Sequence, residues 1–443
     1  MATDRPAVFA VPAAAALLLW PALWNGFPIV FADTGTYLSQ AIHRYAGWDR
    51  PVFYSFFILP LHATVTLWPV VVVQALLAAW VLWLVCRVLI ARPSRRAFLG
   101  GVAVLSIGSW LPWIVGEIMP DLLTPLLILV VCLLSCVPER LSRGERTGLL
   151  GLAAFMIASQ QSSLPLACVL LTSLAILGVR HRAVFCQCRR RWHLLILPPA
   201  LALIGLCTTN LAAHGRFAIS PFGNVFLLAR VIYDGPGMDA LRRDCPAANW
   251  RLCPFLDSFP PTSDDFLWTQ DSPLNRAGGP KIVSRDADAI IRAALIGAPF
   301  GEMRAVLANT LDQLGRFASG DGLTPWPAQV SPWIAQDFPA REAAAYAAAR
   351  QQAGTLSVAS PLAELHTILA LAGVMACIVL LPIALIRRAP CAGFLLGVLL
   401  ALPLSAAITG GLSAPHGRYQ SRIMWLPPFI AAVSLASLRR RPG

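Results

Sequence analysis

Residues 64–90 read TVTLWPVVVVQALLAAWVLWLVCRVLI, 27 residues in which Arg87 is the single charge. A helix needs roughly 20 mostly apolar residues to cross the hydrocarbon core of a bilayer, so this stretch is long enough to span one. Working outward from it, similar segments appear at about 7–27, 97–115, 122–137, 148–160, 164–179, 194–212, 365–386, 391–412 and 423–438. Pro12, Pro21, Pro60, Pro112 and Pro403 fall in or near them and are tolerable where neighbouring helices satisfy freed carbonyls. The composition agrees. Of 443 residues 57% are hydrophobic and 13% charged, with a mean hydropathy of +0.65, which excludes an ordinary soluble enzyme, a disordered tail and a disulfide scaffold. The expected fold is an all-α polytopic membrane protein of about ten transmembrane helices. Only Asp4 and Arg5 precede the first apolar run and no small-residue cleavage site follows it, so it reads as a retained helix rather than a signal peptide.

The net charge of +13 is decided by where the charges sit. Eighteen basic residues, among them Arg92, Arg95, Arg96, Arg140, Arg143, Arg146, Arg387 and Arg388, fall on one side of the expected helices, against Asp4, Glu139 and Glu145. The positive-inside rule makes that side cytoplasmic, with both termini inside; the expected location is a bacterial inner membrane. The remaining charges nearly cancel, so no basic patch is left to support nucleic-acid binding.

The chain divides into an N-terminal transmembrane module 1–214, a periplasmic segment 215–360 between helices seven and eight, and a C-terminal transmembrane module 361–443. The middle segment is rich in Asp, Pro, Ser and Trp, and mainly helical or irregular. Helices are expected over Asp286 to Phe317, broken at Gly297–Pro299, and over Pro339 to Gln352. The first carries apolar residues at helical spacing, fitting either a membrane-surface helix or a cover for the segment's own core. Of eleven cysteines, only Cys245 and Cys253 lie here, and an oxidising periplasm would pair them around Trp250. Cys186 and Cys188 have no partner set for a metal.

Ionisable residues at membrane depth are functional candidates. Asp33 follows the first helix in Phe31-Ala-Asp-Thr-Gly-Thr-Tyr37, and Glu117 and Asp121 lie in Gly116-Glu-Ile-Met-Pro-Asp121. Glu117 and Asp121 share a face if their turn is helical. The plain alternative for Asp33 and Asp121 is helix capping. The last outer loop, Pro415-His-Gly-Arg-Tyr-Gln-Ser-Arg422, offers His416, Arg418 and Arg422 to an anion, or its arginines to lipid headgroups. Arg50 is a further anion candidate, with Asp49 as an alternative partner.

This layout resembles the GT-C superfamily of integral-membrane glycosyltransferases: an early acid in the first outer loop, a second acidic group before helix four, a large outer insertion and a basic loop before the last helix. Thr34 stands where a paired acid is usual. The resemblance implies transfer of a sugar from a polyprenyl-phosphate donor to a hydroxyl on an envelope glycan or lipid, inverting the anomeric centre. It implies Asp33 as base, with Arg418, His416, Arg422 and Arg50 on the donor phosphate. Glu117 and Asp121 would shape the acceptor site or, with Asp33, hold a divalent cation such as Mg or Mn. Tyr37, Tyr54 and Tyr419 would line the site. The isoprenoid tail would lie between helices against membrane lipid, and Trp250, Trp268, Trp326 and Trp333 would stack on glycan or form local core. Rival readings are a transporter or flippase of lipid-linked glycan, a non-catalytic envelope assembly protein, and a ligase moving a whole glycan.

Overall fold

The computed structural model describes residues 5–90, 93–180 and 192–439. Among these the chain is helical throughout, and the one β pairing is an isolated parallel bridge between Ile29 and Glu117. Helices occupy all ten segments expected from the sequence. Five stretches are long and apolar enough to cross a membrane: Trp68–Leu89, Leu195–His214, Ser360–Ile386, Cys391–Leu412 and Gly417–Arg439.

Two of the other segments are broken inside the apolar run, for local reasons. Residues 5–25 form two helices, Arg5–Leu18 and Trp20–Asn25, because Pro21 starts a new helix better than it continues an old one. Gly26, at φ +82°, ends the second with its N–H on the carbonyls of Ala22 and Leu23. Residues 95–115 split likewise: Arg95–Gly108 stops at the extended Ser109, and Pro112 opens Leu111–Val115. A 14-residue helix rises only about 21 Å, short of the roughly 30 Å hydrocarbon thickness.

Trp68–Leu89 and Cys391–Leu412 are the central helices, largely buried by their neighbours. Trp68–Leu89 packs against Arg5–Leu18, Phe53–His62 and Leu123–Cys136; Cys391–Leu412 packs against Leu123–Cys136, Ser163–Arg180, Ser360–Ile386 and Leu426–Arg439. Gly397 makes room for Cys132, and Gly373 for the backbone of Pro428. Small residues permit such close approach where lipid supplies no hydrophobic drive between helices. By contrast Leu195–His214 and Ser360–Ile386 turn Ile196, Leu201, Ile204, Ile368, Met375 and Val379 outward, apolar surface too extensive for water.

The segment 215–360 is not uniform. Phe222, Leu228, Leu241, Leu252, Phe266, Val283 and Ile290 build a core of their own. From Leu323 onward, Val330, Ile334, Phe338 and Tyr346 join the main core of the helix bundle. Cys245 and Cys253 form a disulfide within the local core region. Cys186 and Cys188 lie outside the described residues.

The expected amphipathic pair is Pro280–Gly297 and Pro299–Gly315. The two helices differ. The first buries Val283, Ala287, Ile290 and Ile291 in the local core. The second packs on Cys391–Leu412, with Asn309 and Val306 over Gly410 and Gly411, and leaves a stripe of Phe300, Met303, Leu307 and Leu311 at 59–80% exposure. That spacing is one helical face beside a candidate span, the arrangement of a helix dipping into lipid. An environment-sensitive fluorophore at position 307, in vesicles, is therefore expected to be quenched by brominated lipid. Emission of a water-exposed probe, insensitive to brominated lipid, would contradict it.

Candidate functional site

Two loops meet at one end of the bundle. The Ile29 N–H donates to Gly116 O (2.8 Å) and the Ile118 N–H to Ile29 O (2.9 Å). Thr34 closes the junction: its hydroxyl donates to Ile118 O (3.1 Å) and accepts from the Phe31 N–H (2.9 Å). Gln74, the lone polar residue midway along the first central helix, donates to Val115 O and Glu117 O, and accepts from the Tyr54 hydroxyl at 2.6 Å. Gln351 brackets Val30 from the other side, accepting from its N–H (3.0 Å) and donating to its carbonyl (2.7 Å). Every one of these bonds satisfies a polar group that burial would otherwise penalise by about 1–3 kcal/mol.

The junction places Asp33 and Asp121 beside the start of the last span. Arg50 Nη2 donates to Asp33 Oδ1 at 2.9 Å, and Arg418 Nη2 donates to Asp33 Oδ2 at 3.2 Å. Arg418 also reaches Asp121, with Nη1 at 3.7 Å from Oδ2, while Arg422 Nη1 donates to Asp121 Oδ1 at 2.5 Å. Arg418 thus bridges the two aspartates. Neither acid caps a helix: Asp33 sits at the N-cap position of Thr34–Ile42 without a side-chain cap bond, and Leu122 separates Asp121 from Leu123–Cys136. Nor does the Asp49 carboxylate pair with Arg50, which instead donates to the Asp49 backbone carbonyl.

Glu117 and Asp121 do not share a helical turn. Met119 between them is extended (φ −148°, ψ 152°), because the following Pro120 disfavours helical backbone before it. Burial and the Asp121 charge nevertheless raise the proton affinity of Glu117 well above the ordinary carboxylate range, against the opposing pull of Arg418. Burial acts the same way on Asp33, but Arg50 and Arg418 together overcome it and hold that carboxyl at about 2.

Three guanidinium groups, those of Arg50, Arg418 and Arg422, therefore share two carboxylates in direct contact. Arg418 Nη1, Arg422 Nε and Asp121 Oδ2 are buried without a hydrogen-bond partner. The ring of Phe31 lies 4.1 Å from the Arg418 guanidinium, and Tyr419 lies 5.4 Å from both Arg418 and Arg422. As arranged, the acids do not make a cage for Mg or Mn. Both Asp33 oxygens and Asp121 Oδ1 are engaged by arginines, and a divalent cation would sit beside three like charges.

The other expected residues have different places. His416 does not join the arginines. Its Nε2 lies 2.9 Å from Asp264 Oδ2 and its Nδ1 2.8 Å from Ala414 O. Two acceptors ask for two N–H groups, so the ring is held in its charged form. Burial opposes that, and the bond to Asp264 leads the groups that outweigh it, raising the ring to about 9. Tyr37 and Tyr54 are buried against each other, so they support the loops rather than line an opening. Of the four tryptophans, Trp326 packs on Phe31, Trp333 on His43, and Trp250 against the local core. Trp268 is half-exposed, packs on Trp48 and Phe226, and lies 5.6 Å from the Arg50 guanidinium.

Sequence reasoning missed Asp321, which accepts from the Arg418 backbone N–H at 2.8 Å, and Gln313, which holds the backbone of His416 from both sides. It missed Gln74 as well, although a lone amide in an apolar span was a visible signal.

The sign of the His416 contribution to stability follows from its raised value. It is fully present below the unfolded value near 6.5 and lost as pH rises through about 9. Both partners are partly exposed, which limits it to about 1 kcal/mol. Thermal melting between pH 6 and 10 is expected to show that loss, and Asp264→Asn to remove it. An unchanged slope in Asp264→Asn would refute the pairing. Comparison with protein-family models, curated proteins and solved structures finds no match to the chain.

Proposed function

We propose that the chain is a membrane glycosyltransferase of the GT-C kind. It moves a sugar from a polyprenyl-phosphate donor to a hydroxyl of an envelope glycan or lipid, on the periplasmic face of a bacterial inner membrane. The observation that carries this reading is the shared cluster: three guanidinium groups on two carboxylates, at the end of an apolar span. Such a site suits a lipid-borne anion. Arginine gives planar, forked donors to phosphate oxygens, and a low-dielectric surround strengthens each contact.

The chemistry starts from competition. Arg50 and Arg418 hold Asp33 ionised and quench it as a base. A donor phosphate draws the two guanidinium groups to itself, and the proton affinity of Asp33 rises as they leave. Asp33 then takes the proton of the acceptor hydroxyl while its oxygen attacks the anomeric carbon. The bond from that carbon to the phosphate oxygen breaks, and the configuration inverts. Polyprenyl phosphate departs with its negative charge on Arg418 and Arg50. Arg422 keeps Asp121 in place, and Thr34 keeps the acid-bearing loops in register.

Two variants test the scheme in proteoliposomes supplied with lipid-linked sugars. Asp33→Asn is expected to lower transfer by about 10²–10⁴-fold with the protein still folded. Arg418→Ala is expected to weaken donor use by about 10–100-fold, the loss of one or two charge-assisted bonds. Full transfer by Asp33→Asn would remove its role as base. Movement of the lipid-linked sugar across the bilayer, without a covalent product, would favour the flippase reading.

A further inference from the structure

One short helix of the outer segment, Ser263–Trp268, reaches the charged cluster from both sides. The Thr262 hydroxyl caps it, accepting from the Asp265 N–H at 3.1 Å. Phe266 and Leu267 are buried in the local core and fix the helix to the outer segment. Asp264 and Trp268 are four residues apart, so they share a face. Asp264 Oδ2 accepts from His416 Nε2 at 2.9 Å, two residues before Arg418. The Trp268 ring lies 5.6 Å from the Arg50 guanidinium. One turn of helix, a rise of about 6 Å, thus bridges the two loops whose arginines hold Asp33.

Trp268 is held in place but not covered. Its ring meets Trp48 at 5.5 Å and Phe226 at 6.0 Å, and those two rings stack on each other at 5.2 Å, 15° from parallel. Trp48 stands two residues before Arg50, so the aromatic group and the guanidinium ride on one loop. With three groups against it, Trp268 is still 46% exposed, which forgoes much of the apolar burial that an aromatic core residue contributes. The face of an aromatic ring carries partial negative charge and accepts C–H groups of partial positive charge. A pyranose offers such groups on a ring face, with its hydroxyls at the rim. In a glycosyl phosphate the sugar is one oxygen away from phosphorus. A phosphate held by Arg50 and Arg418 therefore carries its sugar to the helix that bridges them.

We propose that Trp268 is the platform on which the donor's pyranosyl group stacks, so that the site selects a glycosylated lipid phosphate over the bare lipid phosphate. This rests on the reading of the cluster as a polyprenyl-phosphate site and adds the residue that recognises the sugar. It also gives the reaction a direction. Substrate is held by the arginines and the ring together. Once the sugar has left, the lipid phosphate keeps only the arginines and is released more readily.

The test measures equilibrium binding to the full chain in lipid nanodiscs. The probes are radiolabelled polyprenyl phosphate and the same lipid carrying a glucosyl, galactosyl or N-acetylglucosaminyl group. The unaltered protein is expected to bind at least one glycosyl lipid about 10-fold more tightly than the bare phosphate. Trp268→Ala is expected to remove that preference and to leave binding of the bare phosphate unchanged. Trp268→Leu, which keeps an apolar cover over Phe226 without a ring, is expected to behave as Trp268→Ala, and Trp268→Phe to retain most of the preference. Melting temperature reports whether each variant folds, and Trp268→Leu serves if Trp268→Ala does not. No preference for any glycosyl lipid in the unaltered protein, a preference kept in folded Trp268→Leu, or an equal loss for glycosyl and bare lipids would overturn the proposal. The last of these would make Trp268 a support for Arg50 or a contact with bilayer lipid. Arg418→Ala separates this inference from the one beneath it. Loss of the bare phosphate in that variant upholds the cluster whatever Trp268 does, whereas bare phosphate that binds independently of Arg418 would remove the cluster reading and this one with it.

Discussion

The rest of the structure depends on the bridge that Arg418 makes between Asp33 and Asp121. A buried guanidinium is costly unless it is paired and hydrogen-bonded. Removing one partner of such a pair typically costs 3–5 kcal/mol. The surrounding fold reads as the machinery that keeps the partners together. Thr34 and the Ile29–Glu117 pairing fix the two acid-bearing loops; Gln74 and Gln351 anchor those loops to a central helix and to the outer segment; Asp321 and Gln313 fix the backbone on which Arg418 rides. Residues more than 300 positions apart in sequence are held within hydrogen-bond reach.

The cluster also explains a tension between geometry and chemistry. Asp33 is the acid best placed beside the arginines, yet those arginines make it a poor base. Burial alone would have raised its proton affinity, as burial and the Asp121 charge do for Glu117, which among the described residues has no cationic partner at hydrogen-bond distance. In the proposed reaction, an anion that displaces a carboxylate from its guanidinium partners would couple ligand arrival to base activation. The excess of guanidinium over directly bonded carboxylate would give that displacement its direction.

Much of this was legible in the sequence, and the failures have physical causes. Each expected apolar run falls on helix, since burial and lipid exposure both select the same residues. They did not foretell lengths, because Pro21 and Pro112 restart helices inside runs that hydropathy cannot subdivide. Sorting charges by side isolated Asp33, Asp121, Arg418 and Arg422, which the fold brings together. Spacing misled at Glu117 and Asp121, where Pro120 forces extended backbone before it. Composition misled at His416, since its partner Asp264 lies in a distant part of the chain that no periodicity connects to it.

The most direct measurement is a cryo-electron microscopy structure of the protein in a nanodisc with a polyprenyl monophosphate. The predicted result is phosphate oxygens within hydrogen-bond distance of Arg418 and Arg50, with the Asp33–Arg418 contact opened and Asp121 still on Arg422. Phosphate bound elsewhere, or bound while Arg418 still bridges Asp33 and Asp121 unchanged, would contradict it.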